Sequence, residues 1–198
     1  MRRTTLIAAL LFLPAATLHA QNYPARPVRM IIPFTAGSAA DIIMRALEPQ
    51  MREKLGQSFI IDNRGGAGGN IAAQYVLEQP ADGHTLFFGT SGNMATNKVL
   101  YRQLKFDPER DFVPVSIAYA SCNVLIVGAN GPIKSIPDLI AEAKKRPGAL
   151  SFGSPGVRTA GHLIGELFKS RAGVDLIHVP YKGGGAALID LVAGQVTL

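Results

Sequence analysis

The feature that most constrains the fold is a repeating change of hydrophobic period. Short apolar runs alternate with stretches whose apolar residues recur at helical spacing, and glycine or proline turns separate them. Val28 to Phe34 reads as a strand. Ala39 to Leu55 reads as a helix, with Ile42, Ile43, Leu47, Met51 and Leu55 on one stripe, Ser38 as its cap, Asp41 in its first turn and Gly56 as its stop. Phe59 to Ile61 is a second strand, Ile71 to about Gln79 a second helix, and His84 to Gly89 a third strand. A strand followed by a helix returns the chain to the same end, so such repeats predict a mostly parallel sheet covered by helices.

Asn97 to Phe112 is less regular. Val113 to Ala120 and Asn123 to Val127 have strand-like apolar content, and Gly128-Ala-Asn-Gly-Pro132 marks a break. The rhythm then restarts. Ser135 caps a helix from Ile136 to Arg146, Leu150 to Gly153 is a strand, and Gly161 to Ala172 is a helix with Leu163, Leu167 and Phe168 on one side. Leu176 to Val179 is a strand, Ala186 to Val192 a helix, and Gly194 to Leu198 starts a further strand. The restart predicts two α/β units, residues 21–124 and 125–198, each Rossmann-like.

Residues 1–20 read as a signal peptide. Arg2 and Arg3 precede an apolar run from Leu6 to Ala16, too short to cross a bilayer stably, and cleavage after Ala20 is expected. With 47% apolar and 17% charged residues the chain can build a core. The net charge is +6, or +4 without Arg2 and Arg3 of the expected signal peptide, an excess that draws anions mildly. The basic residues are dispersed, and none interleave with aromatics, so nucleic acid is not an expected partner. Cys122 is the only cysteine, which rules out an internal disulfide, and its apolar surroundings read as those of a small buried hydrophobe.

Loops that follow strands and open helices carry the site candidates. Pro33-Phe-Thr-Ala-Gly-Ser-Ala-Ala-Asp41 joins the first strand to the first helix. Unpaired N–H groups at such a helix start can hold a carboxylate or phosphate. Gly37 allows close approach, Thr35 and Ser38 add hydroxyls, and Phe34 offers an apolar wall. Gly153-Ser-Pro-Gly-Val-Arg-Thr-Ala-Gly-His162 repeats the context in the second unit. Arg158 there suits two-pronged pairing with a carboxylate, or simply faces solvent. Thr90, Ser91 and Asn93 form a donor-rich loop after the third strand, where open α/β sheets bind ligands. Tyr181-Lys-Gly-Gly-Gly185 is placed similarly. His162 reads as packing on its own helix.

Several motifs are absent. Gly65-Gly-Ala-Gly-Gly69 lacks the spacing of a nucleotide fingerprint, and no Gly-Lys-Ser/Thr loop occurs. The histidines show no metal-ligand spacing, and no nucleophile elbow or acid pair appears. No catalytic residue, metal or cofactor is expected.

Taken together, Tyr23-Pro-x-x-Pro27, the Phe34–Asp41 loop, Asp62-Asn-Arg-x-Gly-Ala-Gly-Gly-Asn70, Ala81-Asp-Gly-His-Thr-Leu86, Asp111-Phe-x-Pro-Val-Ser116 and His178-Val-Pro-Tyr-Lys-Gly183 resemble the periplasmic solute-binding proteins of the tripartite tricarboxylate transporter type. The resemblance runs from Tyr23 to Leu198. It implies a two-lobed periplasmic-binding-protein-like fold, hinged around a cleft that captures a small carboxylate solute in the periplasm. It also implies docking of a monomeric receptor onto a two-component membrane permease; sensing and, less well matched, an exported enzyme are alternative roles. Ligand-binding positions carried by the matching loops are Phe34, Thr35, Ala36, Gly37, Ser38 and Asp41 on one side, with Thr90, Ser91, Asn93 and Asn97 nearby. Ser154, Gly156, Arg158, Thr159 and His162 close from the other. The family usually has Pro-Gly-Gly where this chain has Ala36-Gly37-Ser38, and an uncharged residue where it has Arg158. Relatives are longer, so the fold is expected to be incomplete at the C-terminus, with an open sheet edge prone to aggregation.

Overall fold

The computed structural model describes residues 23–198; the expected signal peptide lies outside them. The first sheet has the order β2-β1-β3, formed by β1 (Val28–Ile32), β2 (Phe59–Asn63) and β3 (Thr85–Phe87). All pairs are parallel, with Val28 opposite Phe59 and Arg29 opposite Thr85. Helix α1 (Ala39–Leu55) begins where expected, because the Ser38 hydroxyl accepts from the Asp41 amide, and it ends at Gly56 in the left-handed conformation. Helix α2 (Asn70–Leu77) links β2 to β3. Met30, Ile32, Ala40, Met44 and Phe88 form the core between β1 and α1.

A π-helical turn at Gly92–Thr96 then runs into α3 (Asn97–Leu100), and α4 (Pro108–Asp111) follows. The second sheet is a parallel pair, β4 (Ser151–Ser154) and β5 (Ile177–Pro180), with Ser151 opposite Ile177. Helices α5 (Ile136–Lys145), α6 (Ala160–Ala172) and α7 (Gly184–Val192) surround it. Ser135 caps α5 by accepting from the Asp138 amide. The core here gathers Leu139, Ala143, Leu150, Phe152 and Leu176. Beyond α7, Gly153 donates to the carbonyl of Leu198 at 2.8 Å, so the last residues do run beside β4.

Three expectations fail. Val113 to Ala120 and Asn123 to Val127 form no strand: Val113, Ile117 and Val124 are 87%, 85% and 73% exposed. A strand is held by its ladder, and none of the described residues pairs with this stretch. Cys122, on the same stretch, is exposed rather than buried for the same reason. On α6, Phe168 packs on the core but Leu167 points outward.

Candidate functional site

The loop at the carboxyl end of β1 meets the turn at the carboxyl end of β5. The Thr35 amide donates to the Lys182 carbonyl at 3.0 Å, and the Thr35 hydroxyl donates to the same oxygen at 3.1 Å. This contact needs glycine. A Cβ on Gly183, whose φ is +155°, would lie 2.7 Å from the Thr35 hydroxyl, and one on Gly185 would lie 3.0 Å from the Gly37 carbonyl. The loop after β1 and the loop after β4 line one cavity of about 2120 Å³. That volume exceeds the roughly 300–1,000 Å³ of a small-molecule site. It extends down an apolar gap flanked by Met44, Phe88, Phe152 and Phe168 and by the extended residues 113–126. Only its loop-lined end has the polarity of an anion site.

On the first side the helix start supplies backbone donors. Among the described residues the amides of Ala36, Ala39 and Ala40 donate to nothing, while those of Gly37 and Asp41 are taken within the loop. Asp41 organises that loop. Its carboxylate is 3% exposed, accepts from the Gly37 amide at 2.9 Å and pairs with Arg45 at 3.0 Å. Burial alone raises its pKa. Hydrogen bonds from Arg45, the Gly37 amide and Asn63, with the Arg45 charge, outweigh this and hold it below the ordinary aspartate range.

The second side is built alike. Thr159 precedes α6, and its hydroxyl donates to the Gly156 carbonyl at 2.7 Å. The amides of Val157, Ala160, Gly161 and His162 have no partner among the described residues. The Ser154 hydroxyl, 1% exposed, receives the Gly156 amide at 3.2 Å and lies 2.7 Å from His178 Nε2. Burial first, then the charge of His162, pushes the His178 pKa down.

The predicted residues therefore sort by position. Phe34, Ser38, Thr90, Ser91, Ser154 and Thr159 line the cavity. Thr35 joins the loops, Asp41 faces its own loop, and Gly156 is a buried hub of that hydrogen bonding. Asn93 and Asn97 lie fully buried beneath, and among the described residues Asn93 Nδ2 and Asn97 Oδ1 have no partner. Arg158 is half-buried rather than solvent-facing: its guanidinium stacks 4.3 Å from the centroid of the Tyr101 ring. His162 stacks on His178, ring centroids 4.1 Å apart. Sequence reasoning offered the helix-start N–H groups without naming Ala39, Ala40, Ala160 and Gly161 as site positions, and it gave no role to Tyr101 or His178. Helix-start position signals the amides; nothing local signals the two rings. Among the described residues no cluster of three metal-ligating side chains occurs, and no helix is long and apolar enough to cross a membrane.

A family model described as the tripartite tricarboxylate transporter family receptor matches residues 43–198. The chain belongs to that family. It is 38% identical to the UPF0065 protein in the tcbD-tcbE intergenic region of a Pseudomonas species, across 100% of this chain and 59% of that protein. It is 37% identical to Protein BugT of Bordetella pertussis, across 92% of this chain and 56% of that protein. Among solved structures it is similar to R. palustris Rpa4515 with adipate, at 42% identity and a TM-score of 0.79, covering 88% of this chain and 58% of that one. MatC (Rpa3494) from Rhodopseudomonas palustris with bound malate is 30% identical with a TM-score of 0.77, over 88% and 60% of the two chains. The chain thus spans less than two thirds of the length of these relatives. The family consists of periplasmic receptors, not enzymes, and its α/β architecture is the one found here.

Proposed function

We propose that this receptor captures a small carboxylate solute between its two parallel sheets and presents it to a two-component membrane permease. One observation carries the reading: two helix starts on opposite sides, those of α1 and α6, border the same cavity with unpartnered backbone amides, and the α1 loop is hydrogen-bonded to the turn after β5 on the second side. A carboxylate has about four lone-pair sites and no donors, which matches a rim of N–H groups and hydroxyls. Charged hydrogen bonds contribute about 1.5–3 kcal/mol each. Three or four of them are of the order needed for micromolar binding, about 8 kcal/mol. The adipate and malate held by the two Rhodopseudomonas relatives are small diacids, in keeping with this chemistry. We take residues 21–124 and 125–198 as the two lobes, since the extended stretch 113–126 separates the sheets. The test is calorimetric titration with a panel of mono-, di- and tricarboxylates. Stoichiometric binding of an unaltered acid supports capture; conversion of the acid, or no binding across the panel, overturns it.

A further inference from the structure

Arg158 is the one non-glycine residue of the second loop at positive φ, +63°. A residue with a Cβ does not hold that conformation without compensation. The compensation is visible. The Arg158 amide donates to His162 Nδ1 at 3.0 Å, one turn ahead on α6. The His162 ring is fixed by its stack on His178, 29° from parallel. His178 is fixed in turn by the buried Ser154 hydroxyl and by the Phe152 ring, 4.8 Å away. An imidazole nitrogen accepts a hydrogen bond only while it lacks a proton. The bond that shapes the loop therefore requires His162 to be neutral, with its proton on Nε2.

We infer that His162 is a positioning residue, holding the Arg158 backbone and with it the anion-facing turn through Nδ1, and that its protonation releases that turn. A proton on Nδ1 sets two donors face to face and places a cation against His178. The charged and titratable groups near the stacked His162–His178 pair can be named. Glu166 and Lys169 lie on α6, His178 on β5 and Arg158 in the loop, while β4 (Ser-Phe-Gly-Ser) contributes none. At the stacked His178 ring, Glu166 favours the positive form and Lys169 opposes it. Histidine is the side chain that changes charge between about pH 5 and 8. The turn is thus held while Nδ1 lacks a proton and loosens when it gains one. This deepens the capture reading, on which its binding arm rests.

Two measurements test it. The first uses the unaltered chain without ligand: the Arg158 amide and the His162 ring are followed by NMR from about pH 8 to about pH 5. The amide is expected to shift with the same midpoint as the His162 ring. An amide that stays put, or follows His178 alone, overturns the inference. The second titrates adipate at both ends of that range. His162→Leu is expected to bind weakly throughout. His162→Asn offers an uncharged acceptor near the Nδ1 position; it should recover the lost affinity and carry only the acid's own titration. Relative to His162→Asn, the wild type should weaken about fivefold toward pH 5, the size of one hydrogen bond. Identical pH profiles for the two overturn the inference. If adipate binds no form, the capture reading fails for that acid, and the amide titration still decides the role of His162.

Discussion

Replacing Asp41 by alanine should separate its two interactions. The substitution leaves the Gly37 amide without its charged acceptor at 2.9 Å and removes the pair with Arg45. Loss of a charged hydrogen bond costs about 1.5–3 kcal/mol. The ion pair adds less, since the Arg45 side chain is 54% exposed and such pairs contribute about 0–1 kcal/mol. The expected total is about 2–3 kcal/mol. With a urea slope of about 2 kcal/mol/M, the midpoint falls by about 1 M. Arg45→Ala leaves the Gly37 bond in place and should shift the midpoint by less than about 0.5 M. The pH dependence has a fixed sign. A carboxyl lowered in the folded state stabilises fully above its unfolded value, about pH 4, and that contribution is lost as pH falls through the lowered native value. Wild type and Asp41→Asn should therefore differ at neutral pH and converge in acid. Equal midpoint shifts for Asp41→Ala and Arg45→Ala would refute the claim that the buried bond to Gly37 holds the loop.

Other substitutions probe the rest of the site. Gly183→Ala puts a methyl 2.7 Å from the Thr35 hydroxyl at a φ of +155°, so adipate affinity should fall about tenfold with the circular dichroism spectrum unchanged; retained affinity counts against the contact between loops. Arg158→Ala should lower the preference for adipate over hexanoate about tenfold, because a two-pronged charged pair is lost; an unchanged ratio removes Arg158 from recognition. Limited thermolysin digestion should cut first between Val113 and Val127, where Val113 and Ile117 are 87% and 85% exposed; first cuts in α1 or α6 contradict the exposure described here.

Where local chemistry encodes local structure, the sequence was readable. Ser38 with Asp41, and Ser135 with Asp138, place cap and first turn three residues apart, and both helices start there. Gly56 at positive φ ends α1 as its position suggests. The same spacing contained a warning about Asp41. An acid at that position turns back to the loop amides, and its carboxylate does so here at Gly37. Val113 to Val127 was misread because apolar content specifies a side-chain preference for strand but carries no information about a partner. The stacking of Arg158 on Tyr101 and of His162 on His178 joins residues on different elements. No period or spacing announces such pairs, and a positive φ at arginine has no sequence signal at all. The anion site itself was half legible: the helix starts could be named, but which side chains border the cavity depended on how the two sheets meet.

The central claim is that backbone amides from both sides hold one anion. The most direct measurement is a two-dimensional ¹H–¹⁵N titration of the labelled chain with adipate. The account predicts that the amides of Ala39 and Ala40 move downfield together with those of Ala160 and Gly161, saturating along one curve at one equivalent of acid. Movement on one side alone, or two sides saturating at different concentrations, contradicts it.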